Sequence, residues 1–200
     1  MSDDDNGIKV ILLGESFVGK TSLIRVSIGK KFNSSEITTY SASYSIKKFS
    51  YNGKDYVFNL WDTIGQEKYR ALTKMFFKDS KIVILVYDIT EEKSFKELEY
   101  WHNQVVNELG KEGYCLAIIG NKKDLYSKEK VKESQGKAFA QSKKAKFKLT
   151  SAKDDPLGFN SFLEQLFKEF IDNNKDFLNQ KKKTTINNKT KKKENVVKLN

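Results

Sequence analysis

The sequence predicts a three-layer α/β sandwich, in which a mostly parallel six-stranded sheet with one antiparallel strand carries helices on both faces. Apolar runs of strand length alternate with helix-like segments along the chain. A two-residue turn signal, Asn52-Gly53, separates two alternating stretches and predicts the one antiparallel pair. In such a sheet we expect the ligand-binding loops beyond the carboxyl ends of the strands.

Each element follows from a local pattern. Strands are expected at 8–13, 43–51, 54–61, 82–87, 115–119 and 147–150. Helices are expected at 22–28, 90–109, 131–142 and 159–171, with a short helix before residue 77. Thr90 is predicted to open the second helix and Gly110 to end it. Apolar residues of the last helix recur with a helical period, which predicts one buried face.

Length and charge indicate one folded domain between two polar ends. The 200 residues are 38% hydrophobic and carry a net charge of +11. Residues 181–200 hold eight lysines and one glutamate, a net of +7, which leaves +4 for the rest. We therefore expect an acidic disordered N-terminus at 1–6, a domain at 7–175 and a lysine-rich disordered tail at 176–200. The mildly basic domain is not expected to bind nucleic acid.

Residues 14–21, GESFVGKT, have the spacing G-x-x-x-x-G-K-[ST] of a phosphate-binding P-loop between a strand and a helix. Glycines at both ends let successive backbone N–H groups point at anionic oxygens. The following helix adds the positive end of its dipole. Lys20 is expected to reach the β- and γ-phosphates and Thr21 to ligate Mg2+. The predicted sandwich is therefore that of a P-loop NTPase.

Three further motifs follow predicted strands. Asp62 ends a strand in WDTIGQE, where its carboxylate can hold a magnesium-bound water and Gly65 lets a backbone N–H approach a γ-phosphate. NKKD at 121–124 follows the next-to-last strand, and the carboxylate of Asp124 can accept two hydrogen bonds from guanine that adenine cannot supply. TSAK at 150–153 can bring a backbone N–H to guanine O6. Together the motifs predict a guanine-nucleotide site.

Over about residues 7–172 the chain resembles the Ras-like small GTPases. The matching motifs are GESFVGKT, Thr38-Thr39, WDTIGQE, NKKD and TSAK. The run LVYDITEEKSF resembles the Rab branch, and ITTYSAS looks most like the early-endocytic Rabs. The resemblance implies a monomeric switch that binds GTP and GDP with Mg2+ and regulates intracellular vesicle trafficking. Its implied partners are a guanine-nucleotide exchange factor, a GTPase-activating protein and effectors that bind the switch regions. It also implies a cytoplasmic protein that cycles to the cytosolic face of endomembranes.

The resemblance further implies a role for each matching residue. Gln66 is catalytic, because it orients the attacking water, and hydrolysis is slow without a GTPase-activating protein. Thr21 and Thr39 ligate magnesium, and Asp62 acts through water. Nucleotide contacts are implied for Glu15, Ser16, Phe17, Val18, Gly19, Lys20, Thr21, Ser22, Phe32, Thr39, Gly65, Asn121, Lys122, Asp124, Leu125, Ser151, Ala152 and Lys153. Tyr44, Trp61 and Phe76 match an aromatic triad that effectors bind, although simple half-buried packing also explains them.

Several residues depart from the family pattern and leave two alternatives open. Ile64 stands where the family usually has alanine, and Phe17 is unusually bulky inside the phosphate loop. Both favour a hydrolysis-poor GTP-binding module. The lysine tail allows a nuclear or nucleic-acid-associated GTPase. The family usually ends in prenylated cysteines, whereas Cys115 is the only cysteine here and is expected to be buried in a strand. We therefore expect weak, reversible contact of the lysine tail with anionic membranes.

Overall fold

The computed structural model describes residues 7–34, 43–63, 74–175 and 178. Its strands are β1 (Ile8–Leu13), β2 (Ser43–Tyr51), β3 (Lys54–Asp62), β4 (Ser80–Asp88), β5 (Cys115–Asn121) and β6 (Lys146–Leu149). They form a six-stranded sheet in the order β2-β3-β1-β4-β5-β6. Every neighbouring pair is parallel except β2 and β3, which are antiparallel. The predicted mixed sheet with one antiparallel strand is confirmed.

Helices connect these strands. They are α1 (Lys20–Ser27), α2 (Lys74–Phe77), α3 (Glu92–Lys96), α4 (Leu98–Leu109), α5 (Glu133–Ser142) and α6 (Pro156–Asn173), with a 3-10 helix at Lys123–Lys128. Among the described residues, none of these helices has the length and apolar character needed to cross a membrane.

The hydrophobic core fixes the strands relative to one another. Ile11 of β1, Leu85 of β4 and Ile118 of β5 have no solvent exposure. They belong to one buried cluster with Trp101 and Val105 of α4. Because β1, β4 and β5 are parallel, their carboxyl ends lie at the same edge of the sheet, and the shared core keeps them there.

The hairpin between β2 and β3 is the one that Asn52-Gly53 predicts. Asn52 has φ 51° and Gly53 has φ 67°, so both turn residues are left-handed. This is the arrangement of a type I′ turn, whose twist matches that of the flanking strands. It sets the register in which Tyr51 lies opposite Lys54.

The single helix predicted for 90–109 is wrong, because the structure has two helices that meet at Glu97. Thr90 does not cap a helix. Its backbone N–H and its hydroxyl both donate to Oδ1 of Asp88, at 2.8 Å each. The side chain of Glu91 instead accepts from the N–H of Lys93 and caps α3. Gly110 ends α4 as predicted, with a left-handed φ of 83°.

Two other predictions need smaller corrections, and one element was not predicted. The helix expected from residue 131 begins at Glu133, because the N–H groups of Lys130 and Val131 donate to the carbonyl of Ile89 and hold the chain beside β4. The 3-10 helix at Lys123–Lys128, which begins inside NKKD, was not predicted. Cys115 is half-buried, not buried, because it is the first residue of β5.

The apolar face predicted for the last helix is buried. The boundary between two compact units of the chain falls inside α6, after Leu166. In the first unit Phe159 and Leu163 are each 1% exposed, and in the second Phe167 and Phe170 are equally buried. The helical spacing therefore identified the buried positions in both parts of α6.

Candidate functional site

The loop between β1 and α1 needs glycine at both of its ends. Gly14 has φ 142° and Gly19 has φ 95°, and both values lie in the region that disfavours side chains. A Cβ on Gly14 would collide with the carbonyl of Val86, and a Cβ on Gly19 with Nδ2 of Asn121. The two glycines therefore allow the loop to pack against β4 on one side and β5 on the other. Helix α1 starts at Lys20, two residues before the predicted start.

Lys20 lies inside this loop with 5% of its surface exposed. Its Nζ donates to the carbonyls of Gly14 and Glu15, at 2.8 Å each. Burial lowers the pKa of Lys20 to about 8, and the nearby charges of Asp62 and Glu15 oppose that shift. A buried cation at the start of a helix is suited to an anionic ligand, because the ligand's charge would replace the solvation that the lysine has lost.

Thr21 and Asp62 meet where α1 begins and β3 ends. The Thr21 hydroxyl donates to Oδ2 of Asp62 at 2.8 Å, and Asp62 is buried. Register explains the meeting, because Asp62 lies opposite Leu12 at the end of β1. The described residues contain no cluster of three or more His, Cys, Asp or Glu side chains suited to a metal. One hydroxyl and one carboxylate instead fit Mg2+, which usually takes few protein oxygens and completes its shell with waters and phosphates.

Asn121 joins two loops with its side-chain amide. Its Nδ2 donates to the carbonyl of Val18 at 2.8 Å, and its Oδ1 accepts from the N–H of Ala152 at 3.1 Å. All three residues are at most 3% exposed. Asn121 therefore ties the phosphate-type loop after β1 to the loop after β6.

Asp124 is oriented by the loop after β6. The Ser151 hydroxyl donates to Oδ1 of Asp124 at 2.6 Å. The same hydroxyl oxygen accepts from the N–H groups of Lys153 and Asp154, at 3.1 and 2.9 Å. This arrangement fixes the carboxylate in a set direction at the edge of the cavity before any ligand arrives.

These groups surround one cavity of about 430 Å³, a volume typical of small-molecule sites. Fourteen of the eighteen predicted nucleotide contacts line it. They are Ser16, Phe17, Gly19, Lys20, Thr21, Ser22, Phe32, Asn121, Lys122, Asp124, Leu125, Ser151, Ala152 and Lys153. The cavity therefore joins the phosphate-type loop to the two motifs that predict guanine recognition.

Four predicted contacts are not among the lining residues. Oε1 of Glu15 accepts from Nε1 of Trp101 at 3.2 Å, inside the core, and the side chain of Val18 is 1% exposed. Thr39, Gly65, Gln66, Ile64 and the predicted N-terminal segment at 1–6 lie outside the described residues. So does the predicted lysine-rich tail at 176–200 except for Leu178, which is 8% exposed and donates its N–H to the carbonyl of Asn174.

Three lining residues were missed by the sequence analysis. Asn33 and Ser34 line the cavity directly after Phe32, and Thr63 lines it directly after Asp62. The signal that could have identified these three residues is that they lie next to predicted site residues in the sequence. The hydroxyl of Thr63 donates to the carbonyl of Leu12, which fixes this end of β3 beside β1.

The aromatic triad forms one cluster of Tyr44 from β2, Trp61 from β3 and Phe76 from α2. The rings of Tyr44 and Trp61 stack with their centroids 5.1 Å apart, and the ring centroids of Phe76 and Trp61 are 6.4 Å apart. Tyr44 is 44% exposed, whereas Phe76 is 8% exposed. Nζ of Lys9 lies 4.6 Å from the centre of the Trp61 ring. Phe76 is packed in the cluster and Tyr44 is exposed, so the geometry fits both contact with an effector and simple half-buried packing.

Comparison with known proteins agrees with this geometry. The family model described as the Ras family matches residues 9–176. The chain is 43% identical to the Ras-related protein Rab-21 of Homo sapiens over 159 residues, which cover 80% of this chain and 68% of that protein. The protein of the same name from Bos taurus is also 43% identical, with 69% of its length covered. The Ras-related protein SEC4 of Saccharomyces cerevisiae is 38% identical over 173 residues, which cover 86% of this chain and 80% of SEC4.

The bridge made by Asn121 generates a prediction. Asn121→Ala leaves a buried carbonyl on Val18 and a buried N–H on Ala152 without their partner. We expect the free energy of unfolding to fall by about 2–3 kcal/mol and the affinity for GDP to fall at least tenfold. Urea denaturation and equilibrium binding of a fluorescent GDP analogue measure the two effects.

Asn160→Ala is the matched control for Asn121→Ala. Asn160 also links elements, since its Oδ1 accepts from Nζ of Lys47 and its Nδ2 donates to the carbonyl of Val26. It does not line the cavity. The control should lose stability while it keeps its affinity for GDP. Equal affinity in the two variants would contradict the role given to Asn121.

Proposed function

The chain belongs to the Ras family of small GTPases, within its Rab branch, and on this premise we propose that it is a nucleotide-dependent switch that regulates vesicle trafficking. As a member of this family it is a GTPase that binds GTP and GDP with Mg2+. Membership also implies an exchange factor, a GTPase-activating protein and effectors as partners. The proposal adds the residues that perform these steps, a slow intrinsic hydrolysis and the cellular process.

One observation carries the proposal. A single cavity is lined by Lys20 and Thr21 on one side and by Asp124 and Ala152 on the other. The first pair supplies a cation and a magnesium ligand for phosphates, and the second supplies an acceptor and a backbone donor for a guanine edge. This combination supports a guanine nucleotide over other phosphate compounds.

We assign the chemistry of hydrolysis to positioning and charge stabilisation around the γ-phosphate. Lys20 and the loop N–H groups would stabilise the negative charge that develops on the phosphate oxygens. Thr21 and Asp62 would hold Mg2+, which supplies further positive charge when bound. Gln66, which lies outside the described residues, would orient the attacking water.

Base selectivity tests the proposal most directly. In Asp124→Asn a donor amide replaces one acceptor oxygen, so the pattern presented to guanine no longer matches and the pattern for xanthine improves. We expect affinity for GDP to fall at least 100-fold and affinity for xanthosine diphosphate to rise. Isothermal titration with both nucleotides and with ADP measures this. Asp154→Asn, an exposed neighbour outside the cavity, is the charge-matched control and should bind as the wild type does. Unchanged preference for guanine in Asp124→Asn would refute the site assignment.

A second candidate function, a hydrolysis-poor binding module, is favoured by one feature of the loop. Phe17 has φ 63° and is 72% exposed at the cavity. A side chain in this left-handed region costs on the order of 1–2 kcal/mol, so the loop carries strain beside the phosphate site. Ile64, the other residue that motivates this candidate, lies outside the described residues.

Single-turnover hydrolysis separates the two candidates. Gln66→Leu should bind GTP and release phosphate at least tenfold more slowly than the wild type, because the water is no longer oriented. Ile64→Ala should raise the rate if Ile64 slows hydrolysis. A wild-type rate equal to that of Gln66→Leu would support the hydrolysis-poor module. An unchanged or lower rate in Ile64→Ala would remove the inhibitory role of Ile64 alone.

We also propose that the domain occupies residues 7–175 and that the lysine-rich segment contacts anionic membranes. Basic residues near a membrane contribute on the order of 1 kcal/mol each, and salt screens them. The 200-residue chain should therefore bind phosphatidylserine vesicles weakly and be released at high salt. Replacement of the eight lysines of 181–200 with glutamine should abolish sedimentation with the vesicles, whereas replacement with arginine should preserve it. Salt-resistant binding of the glutamine variant would show that the lysines are not the contact.

A further inference from the structure

The run at 85–95, LVYDITEEKSF, marks the Rab branch but has no role in the proposed function. Asp88 ends β4 inside this run, and it lies opposite Asn121 in the register of β4 and β5. The next residue after Asn121 is Lys122. Nζ of Lys122 lies 2.7 Å from Oδ2 of Asp88, and the Asp88 side chain is 8% exposed. The Lys122 side chain is 32% exposed, so the run is joined to NKKD by a partly buried ion pair.

Hydrogen bonds with residues that follow β4 hold Asp88 in place. Its Oδ1 accepts from the backbone N–H and from the hydroxyl of Thr90. Its backbone N–H donates to the Ser94 hydroxyl oxygen at 3.0 Å, and that hydroxyl donates to the carbonyl of Glu91 at 2.7 Å. With one carboxylate oxygen fixed by Thr90, the other is aimed at Lys122 before any ligand binds.

Lys122 needs such a partner because its backbone is unfavourable. It has φ 66° and ψ 35°, the left-handed conformation, just ahead of the 3-10 helix, and no side chain caps that helix. Non-glycine residues rarely adopt this conformation, because the Cβ atom comes too close to the following carbonyl oxygen. The turn at Lys122 separates Asn121, which ties the loops together, from Asp124, which faces the cavity. A change at Lys122 would therefore move both neighbours.

We propose that Asp88 is a positioning residue for the nucleotide site, which acts through Lys122. It does not line the cavity, whereas Lys122 does. The ion pair holds Lys122 in its left-handed turn and sets the ammonium group along one wall of the cavity. Asp88 thereby slows nucleotide release without touching the nucleotide. This inference rests on the proposed function, because it concerns the same guanine-nucleotide site.

A double-mutant cycle on nucleotide release tests the inference. Release of a fluorescent GDP analogue is followed in the full chain with Mg2+ for wild type, Asp88→Asn, Lys122→Met and the double variant. Asn keeps the shape of Asp88 and its acceptor for Thr90 but removes the charge. We expect release to accelerate about tenfold in Asp88→Asn, since a partly buried ion pair loses its anion. In the Lys122→Met background the same change should have no further effect.

Two more variants separate positioning from a general loss of structure. Glu92→Gln removes an equal charge from the exposed pair that Glu92 makes with Lys96 at 2.9 Å, and it should release nucleotide at the wild-type rate. Thr90→Val keeps the backbone donor to Asp88 but loses the hydroxyl donor. It should accelerate release by a smaller factor than Asp88→Asn does. Circular dichroism establishes that each variant is folded.

The outcomes are distinct. Equal release by wild type and Asp88→Asn overturns the inference, and so does acceleration by Asp88→Asn that persists in the Lys122→Met background. If Asp88→Asn fails to fold, wild-type release in Thr90→Val overturns it, and faster release in Thr90→Val that disappears in the Lys122→Met background supports it. Failure of the wild-type chain to bind GDP overturns the proposed function itself, which none of the variant comparisons does.

Discussion

The candidate site depends on one amide side chain, that of Asn121. Its donor and its acceptor are both used within the protein, by loops that follow β1 and β6. Gly19 lacks a side chain where Asn121 approaches it, so the glycine of the P-loop motif and the asparagine of NKKD form one contact. Val18 and Asn121, which are 103 positions apart in the sequence, are therefore parts of one structural unit. The phosphate end and the base end of the cavity cannot move independently while this amide is in place.

The parallel sheet explains why few contacts are enough to bring the motifs of the site together. Register places Asp62 beside the end of β1 and Asp88 beside Asn121, so each motif begins next to another motif. A single turn of the chain beyond each strand is then enough to bring side chains of two motifs into contact. Thr21 meets Asp62 in this way, and Ser151 meets Asp124. The loops supply the chemical groups, and the buried strands supply their spacing.

Much of the fold was predictable because its signals are local. Apolar runs located the strands, and Asn52-Gly53 located the hairpin, since two left-handed residues in sequence favour that turn. The start of α3 was not predictable, because Thr90 bonds to Asp88 instead of capping a helix and Glu91 caps it in its place. Likewise the motifs identified most cavity residues, but no spacing rule reveals that Asn121 bonds to the carbonyl of Val18. Such contacts arise only when the strands are assembled.

The buried lysine, Lys20, biases the domain toward an anionic ligand. Nζ of Lys20 donates to two carbonyl oxygens, yet burial still lowers its pKa to about 8, so its solvation remains in deficit. A lysine whose pKa is lower in the folded state than in the unfolded state makes the fold less stable wherever it is charged in both, which here means below about pH 8. A phosphate group beside Nζ would raise that pKa again and remove the deficit. The burial of Lys20 that destabilises the domain near neutral pH therefore also strengthens its binding of an anionic nucleotide.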